Sequence, residues 1–496
     1  MFKKKILLSR IVNIEPVRRQ SIISFLRQIG FTIIGFLSTM YFAHEVGASV
    51  LGAYYLFLAY YGIINMITDG GFGTAAIKRI SEGEEQDAYF SAFFVVRSLF
   101  VIMTIIFLLL LREYFTDLNE MGIFNWLLLV LIVSVFAGAI NSGVSGLGKI
   151  GIHETCVFIN NIFRILTQVV AIYFGFEVAG LVGGFVLGAL VATIVEFRFF
   201  DLKLVPFTFR HVKSLSSFSF WFFLTSSGVM VYSYADTVMI GYFMSNADIG
   251  VYRVLFQFSS FAMLTTSAIS CSLWPKISRW GKIKDFKLVQ EALSKAFTYS
   301  LVLAIPISVG GLLLGDKLLY FLYGPEFAKG YYTLLILLCV QLMNIFQYFF
   351  GSFLSALDKV KDSFKATATA AVANIVFNFT LIPLIGISGA AIATLLTIGI
   401  NSLLAQRALS TVIVIRVNHY SLFNIAKASL LMVLFVLSYR LLVPLNNVYL
   451  TLVPVVFGCF IYCTSLLILD HEINFELKKI AVNMGIKVFD RPELDS

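Results

Sequence analysis

Apolar positions run along this chain in long stretches, each about as long as a membrane crossing and parted by short polar segments. A helix needs roughly 20 mostly apolar residues to cross a bilayer. Stretches of that kind lie at 21–42, 50–67, 88–111, 124–147, 154–174, 178–200, 218–244, 249–273, 296–314, 331–357, 364–384, 387–409, 423–443 and 449–469. In hydrocarbon every backbone polar group must be satisfied within the segment, so the pattern predicts an all-α polytopic membrane protein with about fourteen spanning helices. The second stretch is short. The sixth and twelfth are rich in Gly and Ala, as close helix packing in lipid prefers.

Composition strengthens this picture. Hydrophobic residues make up 59% of the chain and charged ones 13%, with a mean hydropathy of +0.89. A soluble domain carries about a quarter charged residues, and no segment here is polar enough to form one. The net charge of +9 suggests a nucleic-acid partner only until its placement is read. The Lys and Arg sit in short loops on alternate sides. With the N-terminus inside, only Arg112, Lys317 and Lys329 fall in outer loops, which fits the positive-inside rule and an even number of spans. No nucleic-acid partner is expected. Lys3, Lys4 and Lys5 precede only a short apolar stretch with no cleavage pattern, so 1–20 reads as a basic amphipathic helix on the inner leaflet.

The two halves of the chain repeat one another. Leu51-Gly52-Ala53-Tyr54-Tyr55 opens the second span, and Ile249-Gly250-Val251-Tyr252-Arg253 opens the eighth. Ser145-Gly146-Leu147-Gly148-Lys149 precedes the fifth, and Ser355-Ala356-Leu357-Asp358-Lys359 precedes the eleventh. In that register Arg164 matches Asn374 and Gln168 matches Asn378. Six helices preserve topology, so the repeat is parallel, about an axis along the membrane normal. That is a transporter design, with substrate held between two lobes. The expected organisation is a cytoplasmic N-terminus at 1–20, one six-helix lobe over 21–215, a second over 216–410, two further helices over 411–470 and a cytoplasmic tail at 471–496.

Side chains that cost energy in lipid mark the candidate site, because ionised groups there usually face a cavity. Arg27 lies about two turns into the first span, Arg97 and Arg164 lie near the middle of the third and fifth, and Arg253 lies in the eighth. These four suit a cationic cavity, since the planar guanidinium stays charged and grips phosphate in a two-pronged fashion. Lys427 and Arg440 lie near span ends, where snorkelling accounts for them. Among the acids, Asp69, Glu154 and Glu196 fall near inner span ends, whereas Asp236 is mid-span and either pairs with an Arg or binds a coupling cation. Gln168, Gln257, Asn374 and Asn378 either line the cavity and meet sugar hydroxyls or bond across helices as packing contacts. The five His and five Cys show no metal-ligand spacing, and no Gly-rich phosphate loop is present, so neither a cofactor nor an enzymatic centre is expected.

The order of these motifs resembles the polysaccharide biosynthesis flippases. Leu354 to Lys359, then Asn374, Asn378, Ile382-Pro383, Gly386 and Gly389 to Thr394, is similar to that family's most characteristic stretch. Asp236 to Tyr242 followed by Ile249 to Tyr252, Gly47 through Tyr54 with Asp69-Gly70-Gly71, and Tyr323 to Phe327 resemble the same family elsewhere. The resemblance covers nearly the whole chain. It implies membership of the multidrug/oligosaccharidyl-lipid/polysaccharide exporter superfamily and a V of two six-helix lobes with two extra helices. It also implies flipping of a lipid-linked oligosaccharide, such as an O-antigen or exopolysaccharide unit, across the cell membrane. Partners implied are the bilayer, a coupling ion (Na+ or H+) and a glycan polymerase or transferase. Lipid II flippases of the superfamily use Arg in spans one and eight, which Arg27 and Arg253 match in place. A cation-coupled multidrug exporter is the alternative; such proteins place an acid in span one, where this chain has Arg27 and no carboxylate before Glu45.

Overall fold

The computed structural model describes residues 16–115, 118–119 and 121–476, and every predicted stretch within them is helical. In chain order the helices are α1 (Pro16–Asp69), α2 (Phe72–Ser81), α3 (Gln86–Leu110), α4 (Phe124–Gly146), α5 (Ile150–Tyr173) and α6 (Glu177–Phe197). There follow α7 (Phe209–Phe243), α8 (Asn246–Ser259), α9 (Leu264–Lys282), α10 (Phe286–Tyr323), α11 (Tyr331–Ala356), α12 (Val360–Ile385), α13 (Ile387–Ser410), α14 (His419–Leu442) and α15 (Val448–Leu469). Short turns stand at Arg112–Tyr114, Ser260–Met263 and Pro325–Ala328.

Twelve helical stretches among the described residues are long and apolar enough to cross a membrane, so the chain is a multi-pass membrane protein. The first of these carries two predicted spans end to end. They are parted at Gly47, whose φ of 73° and ψ of −178° only glycine adopts without strain. The 35-residue α7 takes the place of the seventh span. Each of the fourteen stretches therefore has its helix.

Three departures from the sequence reading bear on function. First, a helix that the sequence reading did not mark follows the second span. Gly70 and Gly71 (φ 54° and 80°) end the ladder of α1, and α2 begins at once, burying Phe72, Ala75, Ala76 and Ile80. Asp69 stands at the turn between α1 and α2. The turn lets α7 come close: a Cβ on Gly71 would lie 2.7 Å from the Ser219 carbonyl oxygen. Second, the eighth span is divided by the 3₁₀ turn at Ser260–Met263. Third, several helices outrun their apolar stretches. α7 starts at a capping box made by Thr208 and His211, and α10 starts where Asp285 accepts from the Leu288 amide at 3.3 Å. Hydropathy marks the immersed part of a helix, while caps decide where the hydrogen-bond ladder stops.

By contact the helices gather into two units. One comprises Tyr41–Val254 with Thr367–Ala393. Within it α2 packs on α3, α4 and α7, with Phe90, Phe93, Ala139 and Leu215 closing that core. The other comprises Leu255–Ala366 with the described parts of Met1–Met40 and Thr394–Ser496. Its core is aromatic, with Phe297 in contact with Phe346, Phe349 and Phe350. These units cut across the sequence repeat, since parts of the second half pack with most of the first.

In the second unit α14 and α15 are fastened to α10. Tyr462 donates its hydroxyl to the Val302 carbonyl at 2.6 Å, Arg440 grips Asp316 and the Leu313 carbonyl, and Asn424 donates to Asp470 at 3.2 Å. Many large apolar side chains stay exposed, among them Phe107, Ile194, Leu430 and Phe460. On a soluble protein they would drive aggregation; on a membrane protein they face lipid.

Candidate functional site

The two copies of the repeat motif meet in the first unit. Gly52 opens the second half of α1, and Gly250 lies in the first turns of α8. A Cβ on Gly52 would overlap the Asn246 carbonyl, and one on Gly250 would overlap that of Ala48. Each overlapped carbonyl lies four residues before the other glycine, so the crossing is symmetric. Glycine is required at both points because backbone touches backbone.

The residues just beyond each glycine carry the polar contacts. Tyr54 and Tyr252 hold the same place in the two copies, and both hydroxyls are used. Gln168 on α5 donates to the Tyr54 hydroxyl at 3.1 Å and to the Leu181 carbonyl at 2.7 Å. Tyr252 donates to Asp236 Oδ2 at 2.6 Å. The other carboxylate oxygen of Asp236 accepts from Asn378 at 2.7 Å and from Asn374 at 3.4 Å. Asn378 also donates to Asn374 Oδ1 at 3.0 Å, one turn along α12. Tyr54 thus meets the amide of Gln168 directly, whereas Tyr252 meets Asn378 only through the Asp236 carboxylate. Gln168, Asn374, Asn378 and Asp236 are all buried. Asn378 Oδ1 is buried with no hydrogen-bond partner among the described residues.

One position further on, Tyr55 and Arg253 face each other, with Arg253 Cζ 5.6 Å from the centre of the Tyr55 ring. Arg97 sits elsewhere in the same unit. It is only 5% exposed and its guanidinium pairs with Asp69, with Nη2 donating to Asn65 Oδ1 at 3.1 Å. Gly138 makes room for it, since a Cβ there would lie 2.5 Å from Arg97 Cζ. Asp69 Oδ2 also accepts from the Gly73 amide at 3.4 Å, so one carboxylate serves the ion pair and the start of α2. Arg164 is half-buried on α5 beside Gly188, where a Cβ would lie 2.9 Å from Arg164 Cβ. In the other unit Gln257 accepts from Thr39 at 3.1 Å. Arg27 is on α1, and its side chain falls outside the described residues.

The structure thus brings Asp236, Asn374 and Asn378 into one cluster and sets Arg253 a turn from the glycine crossing. It does not gather the arginines of this unit at one point: Arg97 belongs to the turn between α1 and α2. Sequence reading missed Tyr54, Tyr55, Tyr252 and Asn65. The two copies of the repeat offered a signal for the tyrosines, because Tyr follows Gly by two residues in each. Asn65 offered none, since one amide in an apolar stretch looks like any other. Among the described residues no group of three or more His, Cys, Asp or Glu gathers as a metal site would.

Comparison with known proteins gives these features a family. Residues 46–331 match the family described as polysaccharide biosynthesis protein. A relative in Haloferax volcanii, probable low-salt glycan biosynthesis flippase Agl15, is 27% identical over 454 residues, covering 91% of this chain and 95% of that protein. Probable flippase AglR of the same organism is 27% identical over 396 residues, covering 79% and 83%. Among solved structures, lipid II flippase MurJ in an inward closed conformation superposes with a TM-score of 0.72 at 18% identity, covering 91% of this chain and 99% of that one. An inward-facing multidrug resistance MATE family transporter of the MOP superfamily gives 0.64 at 15% identity, covering 77% and 95%. At such identities the superpositions speak for the fold.

Proposed function

The chain belongs to the polysaccharide biosynthesis protein family, and on that premise we propose that it flips a lipid-linked oligosaccharide from the cytoplasmic to the outer leaflet of the cell membrane. The glycan would ride on a polyprenyl phosphate or diphosphate and serve surface glycan assembly. The observation that carries the reading is Arg253, a cation in an apolar helix beside the Gly52–Gly250 crossing. A lipid diphosphate needs cations in the membrane interior, its sugars need polar walls, and its tail stays in the bilayer. On sequence grounds Arg27 and Arg164 are proposed as further substrate-binding cations. Arg97 contributes through its pair with Asp69, which sets the path of the second span.

In this reading 21–215 and 216–410 are the lobes whose rocking exposes the site to each leaflet in turn, with both termini cytoplasmic. The Asp236 cluster is the coupling site for Na+ or H+. A carboxylate beside a buried, unbonded amide oxygen on Asn378 is the oxygen-rich setting that a hard cation takes. A glycan polymerase or transferase would act on the delivered substrate.

A second reading, a cation-coupled multidrug exporter, draws on the same Asp236 cluster and on the likeness to the MATE transporter. It calls for an anionic binding site, whereas the candidate site residues here are largely cationic.

Deletion of the gene, followed by assay of lipid-linked oligosaccharide in each leaflet, separates the two. Accumulation on the cytoplasmic side with loss of surface glycan supports the flippase. Unchanged surface glycan with new sensitivity to lipophilic cations supports the exporter. Arg27→Ala and Arg253→Ala should each abolish glycan export while the protein still inserts, and Lys427→Ala, whose ammonium lies 4.4 Å from the Phe423 ring, should change little.

A further inference from the structure

We propose that Tyr55 is a positioning residue for Arg253, holding its guanidinium where a diphosphate can reach it, and that the Gly52–Gly250 crossing exists to bring these two side chains together. The inference rests on the reading of Arg253 as a phosphate-binding cation and adds the group that sets its direction.

Its geometry follows from the crossing. Residues three apart on a helix lie on one face, a turn apart. Tyr55 is three residues after Gly52, and Arg253 is three residues after Gly250. The two glycines pack backbone to backbone: a Cβ on Gly52 would lie 2.9 Å from the Gly250 nitrogen, and one on Gly250 would lie 3.1 Å from the Gly52 nitrogen. With the helices held this closely, the side chains one turn onward are brought face to face, and Arg253 Cζ lies 5.6 Å from the Tyr55 ring centre. At this position the repeat carries an aromatic ring in one copy and a cation in the other, and the crossing brings them together. An aromatic face is a suitable orienting surface for a binding-site cation. It orients the guanidinium plane through the ring quadrupole.

Purified full-length protein in nanodiscs, with farnesyl diphosphate as the probe, tests this. Wild type should bind, and Arg253→Ala should lose binding. Tyr55→Phe keeps the ring and should match wild type. Tyr55→Leu should weaken binding about five- to thirtyfold, the range of a partly desolvated cation–π contact. On an Arg253→Gln background, Tyr55→Leu should add no further loss, which a merely structural tyrosine would not obey. Thermal melting of each variant serves as the folding control. If Arg253→Ala weakens binding while Tyr55→Leu does not, the positioning role is wrong and the site stands. The positioning role is equally wrong if Tyr55→Phe falls as far as Tyr55→Leu, because the hydroxyl would then carry the effect. If wild type fails to bind the probe, or Arg253→Ala binds as wild type does, the reading of Arg253 fails and this inference fails with it.

Discussion

Removal of Asp69 should destabilise the protein more than removal of almost any other polar side chain. Arg97 is 5% exposed, and Asp69 is the carboxylate paired with it, while Asn65 accepts one further bond from Nη2 at 3.1 Å. The guanidinium packs against Gly138, where a Cβ would lie 2.5 Å from Arg97 Cζ. Its Nε is already buried without a partner. Deleting one member of a fully buried pair leaves an uncompensated charge at a cost of about 3–5 kcal/mol, and the cost here lies below that because the Asp69 side chain is 24% exposed. Asp69→Ala also takes away the acceptor for the Gly73 amide at the start of α2, a loss of about 1 kcal/mol.

The single variant should therefore melt well below wild type in detergent, measured by loss of the monodisperse peak on heating. Asp69→Leu combined with Arg97→Met should melt much closer to wild type, because two apolar groups of similar volume leave no stranded charge. If Asp69→Ala melts like wild type, Arg97 has another route to solvent or charge, and the account of this pair is wrong. If the double variant is no better than Asp69→Ala, the cost lies in packing rather than in charge.

Gly250→Ala would stabilise an ordinary helix by roughly 0.4–1 kcal/mol, yet here it should destabilise by about 1–3 kcal/mol, because the new Cβ overlaps the Ala48 carbonyl; detergent melting gives the sign directly. Asp236→Asn should leave the protein folded, since its amide oxygen can still accept from Asn378 while its NH2 donates to a Tyr252 hydroxyl turned to accept, but should remove the dependence of transport on its coupling ion in proteoliposomes with and without a sodium or proton gradient. Tyr462→Phe should lower stability by about 0.5–1.5 kcal/mol through loss of the bond to the Val302 carbonyl, with glycan export at permissive temperature unchanged.

Much of this architecture was legible in one dimension because lipid imposes a simple rule. An apolar stretch long enough to cross must be helical, so each of the fourteen stretches could be marked without knowing its neighbours. Charge in lipid is similarly legible: Arg97, Arg164, Arg253 and Asp236 stood out by cost alone. The glycines of the repeat motif were visible too, and Gly52 and Gly250 lie where two helices touch. The helix that follows Gly70-Gly71 was not visible, because ten residues are too few to stand out as a crossing and its apolar face is recognised only by what it packs against.

The sequence by itself determined that the chain is a bundle of membrane helices, roughly where each begins, and which residues are too costly to sit in lipid without a reason. Those are properties of single segments measured against a uniform solvent, and they need no knowledge of what packs where. Only the tertiary structure decided what each costly residue is for. Arg97 and Arg253 are equivalent by hydropathy, yet one is paired with Asp69 in a fitted pocket and the other lies against the ring of Tyr55. Asp236 is joined to residues 16 and 142 positions away. Such partnerships depend on helix crossings, and crossings depend on which small residues allow backbones to touch. That information lies in pairs of distant residues, which no single segment contains.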